Sequence, residues 1–121
     1  MEDKDMQLTI DGKKCDLNFG VEFVNQLNKV AGFSIEKSGI DLPMGMALQR
    51  VNVGLTTYDP SMLSKAIYAA TWDNDPRPSL KACGQYLDGL TLKQLEDVFA
   101  KVKKGIEDST VLQLSLKNVK M

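Results

Sequence analysis

Apolar and polar residues alternate over residues 6–17, on both sides of the pair Asp11-Gly12. Asp-Gly is a favoured two-residue loop for a type I′ turn, because both of its central residues need a positive φ. Such a turn places the apolar residues of both strands on one face, with Lys13 at the solvated turn end. A lone hairpin is marginal in water, so we expect this face to pack on Phe23 or Leu27 of the next element. The predicted cross-strand pairs are Ile10 with Lys13, Leu8 with Cys15, and Met6 with Leu17.

After the hairpin the apolar spacing changes to i, i+4, i+7, which is typical of helices. This spacing predicts five helices, at about 19–31, 43–56, 60–72, 79–88 and 92–106. Their starts carry local signals: Pro43 at a first helical position, Asp59 ahead of Pro60, Ser79 as an N-cap, and Thr91 with Gln94 as a capping box.

Beyond Gly105 the pattern alternates again, from Leu112 to Lys117, and favours a strand or an extended arm over a helix. The helical apolar stripes are complete by Ile106. We therefore expect a single globular domain over 1–108 and a C-terminal arm over 109–121, and we expect the chain to fold when ended after Asp108. The predicted fold class is α+β and mainly helical, with the hairpin packed on a bundle of about five helices.

Composition limits the classes of function. The chain has 121 residues, of which 43% are hydrophobic, enough for one core. The net charge is −1, and the Lys and Arg residues are interleaved with acids, which disfavours nucleic-acid binding. The charged start, Met1 to Asp5, precedes no apolar signal segment, and no apolar run is long enough to cross a bilayer.

No group of residues suggests catalysis or a cofactor. Histidine is absent, which removes the commonest general base and most zinc sites. Cys15 and Cys83 follow no motif, so we expect buried thiols rather than a disulfide. The sequence 73–75 (Asp-Asn-Asp) starts like a calcium loop, but prolines and arginine follow it, so we expect a solvated turn. The glycine-rich stretch 39–46 lacks the lysine of a phosphate loop.

A protein-binding role is better supported by the sequence. Three methionines flank one helix–loop–helix region, and methionine lines adaptable binding surfaces, although ordinary core packing is the alternative. An alternating terminal arm can add a strand to another chain or lie in a groove. The candidate protein-binding residues are Met44, Met46, Met62, Val111, Leu112, Leu114 and Leu116.

Several short segments taken in order carry a family resemblance. They are the hairpin Met6–Lys13, the junction Leu17–Gly20, and the helix starts at Asp59-Pro60 and Pro78-Ser79. Together they resemble the tail assembly chaperones of long-tailed, siphovirus-like bacteriophages, in the branch common among phages and prophages of Gram-positive bacteria. The resemblance covers roughly residues 6–106. Cys15 stands where this family is expected to have an aromatic residue.

The resemblance implies a non-enzymatic protein that coats the tape-measure protein, keeps it soluble and helps recruit the major tail (tube) protein. It implies action in the host cytoplasm and absence from the mature virion, and a homo-oligomer is compatible with it. Two other classes stay open. A head–tail joining or tail-completion protein would remain in the virion, and a small regulatory module such as an antitoxin is disfavoured by the near-neutral charge.

Overall fold

The chain begins with a two-stranded hairpin and continues as six helices in the part that the structure describes. This structure is a computed structural model, and it describes residues 6–31, 34–35, 42–43 and 47–117. The strands are β1 (Gln7–Ile10), β2 (Lys13–Asp16), β3 (Ser34–Ile35) and β4 (Leu42–Pro43). The helices are α1 (Val21–Ala31), α2 (Ala47–Thr56), α3 (Pro60–Ala70), α4 (Leu80–Asp88), α5 (Leu92–Glu107) and α6 (Thr110–Lys117). The fold class is α+β and mainly helical, as predicted.

The hairpin has the predicted register. β1 and β2 pair antiparallel, with Ile10 opposite Lys13 and Leu8 opposite Cys15. The amide of Leu17 donates to the carbonyl of Met6 at 2.9 Å, which extends the ladder by the third predicted pair. Both turn residues have positive φ, at 56° and 81°, as a type I′ turn requires. The apolar face is buried and the opposite face, which carries Thr9, Lys14 and Asp16, is exposed.

The helix that β1 contacts most closely is α4 rather than the predicted α1. Phe23 and Leu27 of α1 are fully buried in the same core cluster as the apolar residues of the hairpin. The Phe19 ring packs edge-on against Phe23, with centroids 5.0 Å apart, and lies on Gly105 of α5. The segment after the hairpin therefore contacts both α1 and α5, through Phe19, while strand β1 lies next to α4.

Helix α3 is the centre of the bundle and packs against α1, α2, α4 and α5. Its buried face combines two large residues, Leu63 and Ile67, with three alanines that let neighbouring helices approach closely. One core cluster takes residues from the hairpin and from all six helices. The hairpin is thus part of the main core rather than an appendage.

The predicted caps are confirmed at three helix starts. The Asp59 carboxylate accepts from the amide of Ser61 at 2.9 Å, and the Ser79 hydroxyl accepts from the amide of Ala82 at 3.0 Å. Thr91 and Gln94 form the reciprocal capping box, with bonds of 2.9 and 3.2 Å. These starts could be predicted because a cap depends on residues within one turn of each other.

The predicted start of the second helix at Pro43 is wrong. Pro43 ends the two-residue strand β4, which pairs with β3, and α2 begins at Ala47. A proline without an amide hydrogen is tolerated at the edge of a short sheet as well as at a first helical position. The proline alone therefore does not distinguish a helix start from a short strand.

The predicted C-terminal strand or extended arm is also wrong, because Thr110–Lys117 form the helix α6. The Ser109 hydroxyl lies 3.4 Å from the amide of Leu112 at the start of this helix. Leu112 is fully buried, Leu116 packs partly against the core, and α6 contacts α1, α2 and α5. These two leucines are four residues apart and therefore share one helix face. An alternating pattern also places apolar residues four apart, so it is compatible with a helix as well as with a strand. The core is therefore not complete at Ile106, and we now expect a chain ended after Asp108 to lose stability.

Candidate protein-binding surface

The seven residues predicted to bind a partner do not form one surface. Met44 and Met46 lie outside the described residues. Leu112 is fully buried and is a core residue. Leu116 and Met62 are both half-buried and pack partly against the core. Val111 is 45% exposed and Leu114 is 63% exposed.

Met62 lies in an open groove of about 410 Å³ between α2 and α3. Its side chain rests on Gly54, where an added Cβ would overlap the Met62 Cβ and Cγ atoms. The glycine therefore allows α2 and α3 to approach closely, with the first two side-chain carbons of Met62 at their contact. Val53, which is 62% exposed, forms part of the same groove.

Three of the four polar side chains around this groove make hydrogen bonds within the protein, whereas the Oε1 atom of Gln49 has no hydrogen-bond partner among the described residues. Arg50 Nη1 donates to the carbonyl of Ala31 at 3.2 Å, at the end of α1. The Asp59 carboxylate caps α3, and the Thr57 hydroxyl donates to the carbonyl of Val53 at 3.1 Å. The surface that remains for a partner is mainly apolar, from Val53 and Met62.

The outer face of α6 offers a second apolar surface. Val111 and Leu114 are three residues apart and share the face opposite Leu112. Exposed apolar residues occur singly on most proteins, so exposure alone does not define a site. Leu92 fits the apolar spacing of the fifth helix but is 76% exposed at the start of α5. Because it is not among the candidate binding residues, it provides a control position.

The two cysteines are free buried thiols, as the sequence predicted. Burial raises the pKa of the Cys83 thiol to about 11, and burial also raises the pKa of Cys15. Nucleophilic chemistry needs the thiolate, which is scarce at neutral pH when the pKa is raised. Over residues 6–31, 34–35, 42–43 and 47–117, no group of three or more Cys, Asp or Glu residues could hold a metal ion.

The turn at 73–75 is more structured than the sequence indicated. Asp73 and Asp75 are exposed, as expected of a solvated turn. Asn74, however, accepts from the amide of Asp16 and donates to its carbonyl, both at 2.9 Å, and also donates to the carbonyl of Thr71 at 3.0 Å. Because Asp16 lies 58 residues away, no local pattern could have indicated this contact.

Arg77 is a second contact residue of that loop that the sequence did not reveal. Its guanidinium lies 3.8 Å from the centre of the Tyr68 ring, and Nη2 donates to the carbonyl of Tyr68 at 2.8 Å. The arginine thereby ties the loop to the end of α3. The only sequence signal was a basic residue between two prolines, which is not specific.

Comparison with known protein families identifies the class of protein. A family model described as phage tail assembly chaperone protein, TAC, matches residues 7–120, from the hairpin through α6. The comparisons with curated proteins and with solved structures gave no match. None of the helices that the structure describes is long and apolar enough to cross a membrane. The chain therefore belongs to the phage tail assembly chaperone family and is a non-enzymatic chaperone of tail morphogenesis.

Proposed function

We propose that this chain binds the tape-measure protein of the phage tail, keeps it soluble before the tail tube forms, and helps recruit the major tail (tube) protein. The family match over residues 7–120 is the observation that carries this proposal, because a chaperone of tail assembly has tail proteins as its partners. The resemblance to chaperones from phages and prophages of Gram-positive bacteria supports a client of that phage group.

The physical properties of the chain suit such a client. A tape-measure protein is long and helical, so a coating chaperone meets many similar apolar stripes along it. Such repeated stripes favour a shallow, adaptable binding surface over a deep, rigid pocket, and contacts between neighbouring copies would strengthen the weak individual contacts. The open α2–α3 groove and the apolar outer face of α6 are surfaces of this kind.

We propose that the client contacts Met62 and Val53 in the groove, and Val111 and Leu114 on α6. Methionine adapts its shape to different partners, which favours the groove for a client of varying sequence. Met44 and Met46 immediately precede α2 in the sequence and stay candidates for the same contact. Leu112 and Leu116 act indirectly, because they hold α6 on the core.

The site of action follows from the proposed role. The chaperone acts in the host cytoplasm, where tails assemble, and it is released before the virion is complete. Self-association is compatible with coating a long client. Analysis of purified virions tests the release, because a head–tail joining or tail-completion protein would be retained in them.

The experiment is co-expression with the tape-measure protein of the same phage. We expect most of the tape-measure protein to be insoluble when expressed alone, and soluble when this chain is present. An unrelated acidic protein of similar size, expressed at the same level, controls for a general effect on expression. Equal solubility of the tape-measure protein with either partner would contradict the proposed function.

Substitutions on the surface test the binding site separately. Leu114→Glu places a charge on the outer face of α6, and Leu92→Glu places the same charge at the start of α5. Both positions are more than 60% exposed, so we expect both variants to fold. Leu114→Glu should lower the soluble yield of the tape-measure protein and Leu92→Glu should not. Equal yields would exclude the α6 surface while leaving the chaperone function intact.

A further inference from the structure

The outer edge of β2 exposes hydrogen-bonding groups that another strand could use. In an antiparallel hairpin, successive residues direct their amide and carbonyl groups alternately toward the partner strand and away from it. The bond from the Leu17 amide to the Met6 carbonyl shows that Leu17 points inward, toward β1. Counting back along the strand, Cys15 also points inward, whereas the backbone groups of Lys14 and Asp16 point outward.

Asn74 occupies the outward-facing groups of Asp16. Its Oδ1 accepts from the Asp16 amide at 2.9 Å and its Nδ2 donates to the Asp16 carbonyl at 2.9 Å. A carboxamide carries the same donor and acceptor as a peptide group, so Asn74 replaces one residue of a third strand. Past Asn74 the loop stands away from the hairpin, leaving a cavity of about 260 Å³ between Lys13 and Arg77. The carboxamide is thus the loop's hydrogen-bonded link to β2 in the described part of the chain.

The sequence of β2 suits pairing with itself. If two copies paired antiparallel about Cys15, Lys14 of each copy would lie opposite Asp16 of the other. The outward-facing groups of both residues would then form two hydrogen-bonded pairs, with four bonds in all. Lys14 and Asp16 are exposed and oppositely charged, so the same register places two attractive charge pairs across the seam. Every one of these backbone bonds involves Asp16 of one copy.

We propose that Asn74 keeps the β2 edge closed to the β2 edge of a second copy of this chain. The Asn74 side chain alone can block this pairing, because it occupies the Asp16 amide and carbonyl, and each of the four backbone bonds between the copies needs one of these groups. An uncovered strand edge is a template for association with another chain, and natural proteins protect such edges. The Asn74 contact with Thr71, at 3.0 Å, holds the carboxamide in position.

The test is the mass of the purified chain in sedimentation velocity as its concentration is raised. Asn74→Ala should associate at concentrations where the unchanged chain shows no increase in mass. Asn25→Ala is the matched control, because Asn25 is an exposed asparagine on α1 that donates to Glu22 at 3.1 Å. Circular dichroism checks that each variant folds, and Asn74→Leu, which keeps a similar size but loses both the donor and the acceptor, serves if Asn74→Ala does not fold.

Charge substitutions identify the interface. In the Asn74→Ala background, Asp16→Lys places like charges opposite each other and should weaken the association by roughly tenfold. Adding Lys14→Asp reverses the pairs and should restore it. Folded Asn74 variants with the mass of the unchanged chain at every concentration would overturn the proposal. Association that ignores both charge substitutions would overturn it too, because a different surface would then be responsible.

Discussion

Leu112 tests whether α6 belongs to the core. Its side chain is fully buried although it lies in a segment whose alternating pattern favours a strand. Leu112→Ala removes that side chain and leaves the rest of the helix unchanged. If α6 packs on α1, α2 and α5 as described, the substitution leaves a cavity beneath the helix.

The expected loss follows from known core substitutions. Leu→Ala at a buried site costs about 2–5 kcal/mol, and the cost is lower where the surroundings can close over the gap. Helix α6 has only 8 residues, so it can shift toward the cavity more easily than a longer helix. We therefore expect about 2–3 kcal/mol, a large share of the roughly 5–15 kcal/mol by which a domain of this size is stable.

The assay is equilibrium unfolding in urea, followed by circular dichroism and by the fluorescence of Trp72, the single tryptophan. Leu114→Ala is the matched control, because it makes the same chemical change two residues away at a position that is 63% exposed. It should alter the free energy of unfolding by less than about 0.5 kcal/mol. Equal stability of the two variants would refute the packing of α6 on the core.

Three further predictions concern the helices and the buried thiol. Gly105→Ala should lower the free energy of unfolding by about 1–3 kcal/mol, because the new methyl group would overlap the Phe19 ring. Gly84→Ala should raise the free energy of unfolding by about 0.5–1 kcal/mol, because no atom lies near its Cβ position and alanine favours a helix more than glycine does. Urea unfolding of both variants checks this pair, and a destabilised Gly84→Ala would contradict it. Thr91→Ala removes the N-cap hydroxyl of the α5 capping box and should lower the free energy of unfolding by about 1 kcal/mol, measured in the same way. An unchanged free energy of unfolding would show that the cap is dispensable. Burial raises the pKa of Cys83 from 9.0 to about 11, so the unfolded chain ionises first and stability should fall as the pH rises from about 9 toward 11. Thermal unfolding across this range checks the sign, and Cys83→Ser should flatten the dependence.

The elements that the sequence predicted best depend on neighbouring residues. The hairpin register follows from Asp11-Gly12 and period-two alternation, and the caps at Asp59, Ser79 and Thr91 act within one helical turn. Each of these signals is complete in a few residues, so folding the rest of the chain does not change it. The family could be recognised for the same reason, since its signals lie in these local segments.

The errors arose where distant contacts decide between two local options. Leu112 and Leu116 fit a strand face or a helix face equally well, and packing against α1, α2 and α5 selects the helix. Pro43 fits a helix start or a short strand, and pairing with β3 selects the strand. Asn74 is a common turn residue whose role depends on Asp16, and no pattern connects the two. The predicted binding residues in α6 do not share one surface for the same reason. Packing of the helix buries Leu112 and leaves Val111 and Leu114 exposed.

The composition of the complex with the tape-measure protein tests the central proposal most directly. The two proteins are co-expressed and purified through the tape-measure protein. The mass of the complex is then measured by light scattering after size exclusion. We predict several copies of this chain per tape-measure molecule, and fewer copies with Leu114→Glu than with Leu92→Glu. A soluble tape-measure protein that carries no copy of this chain would contradict the account.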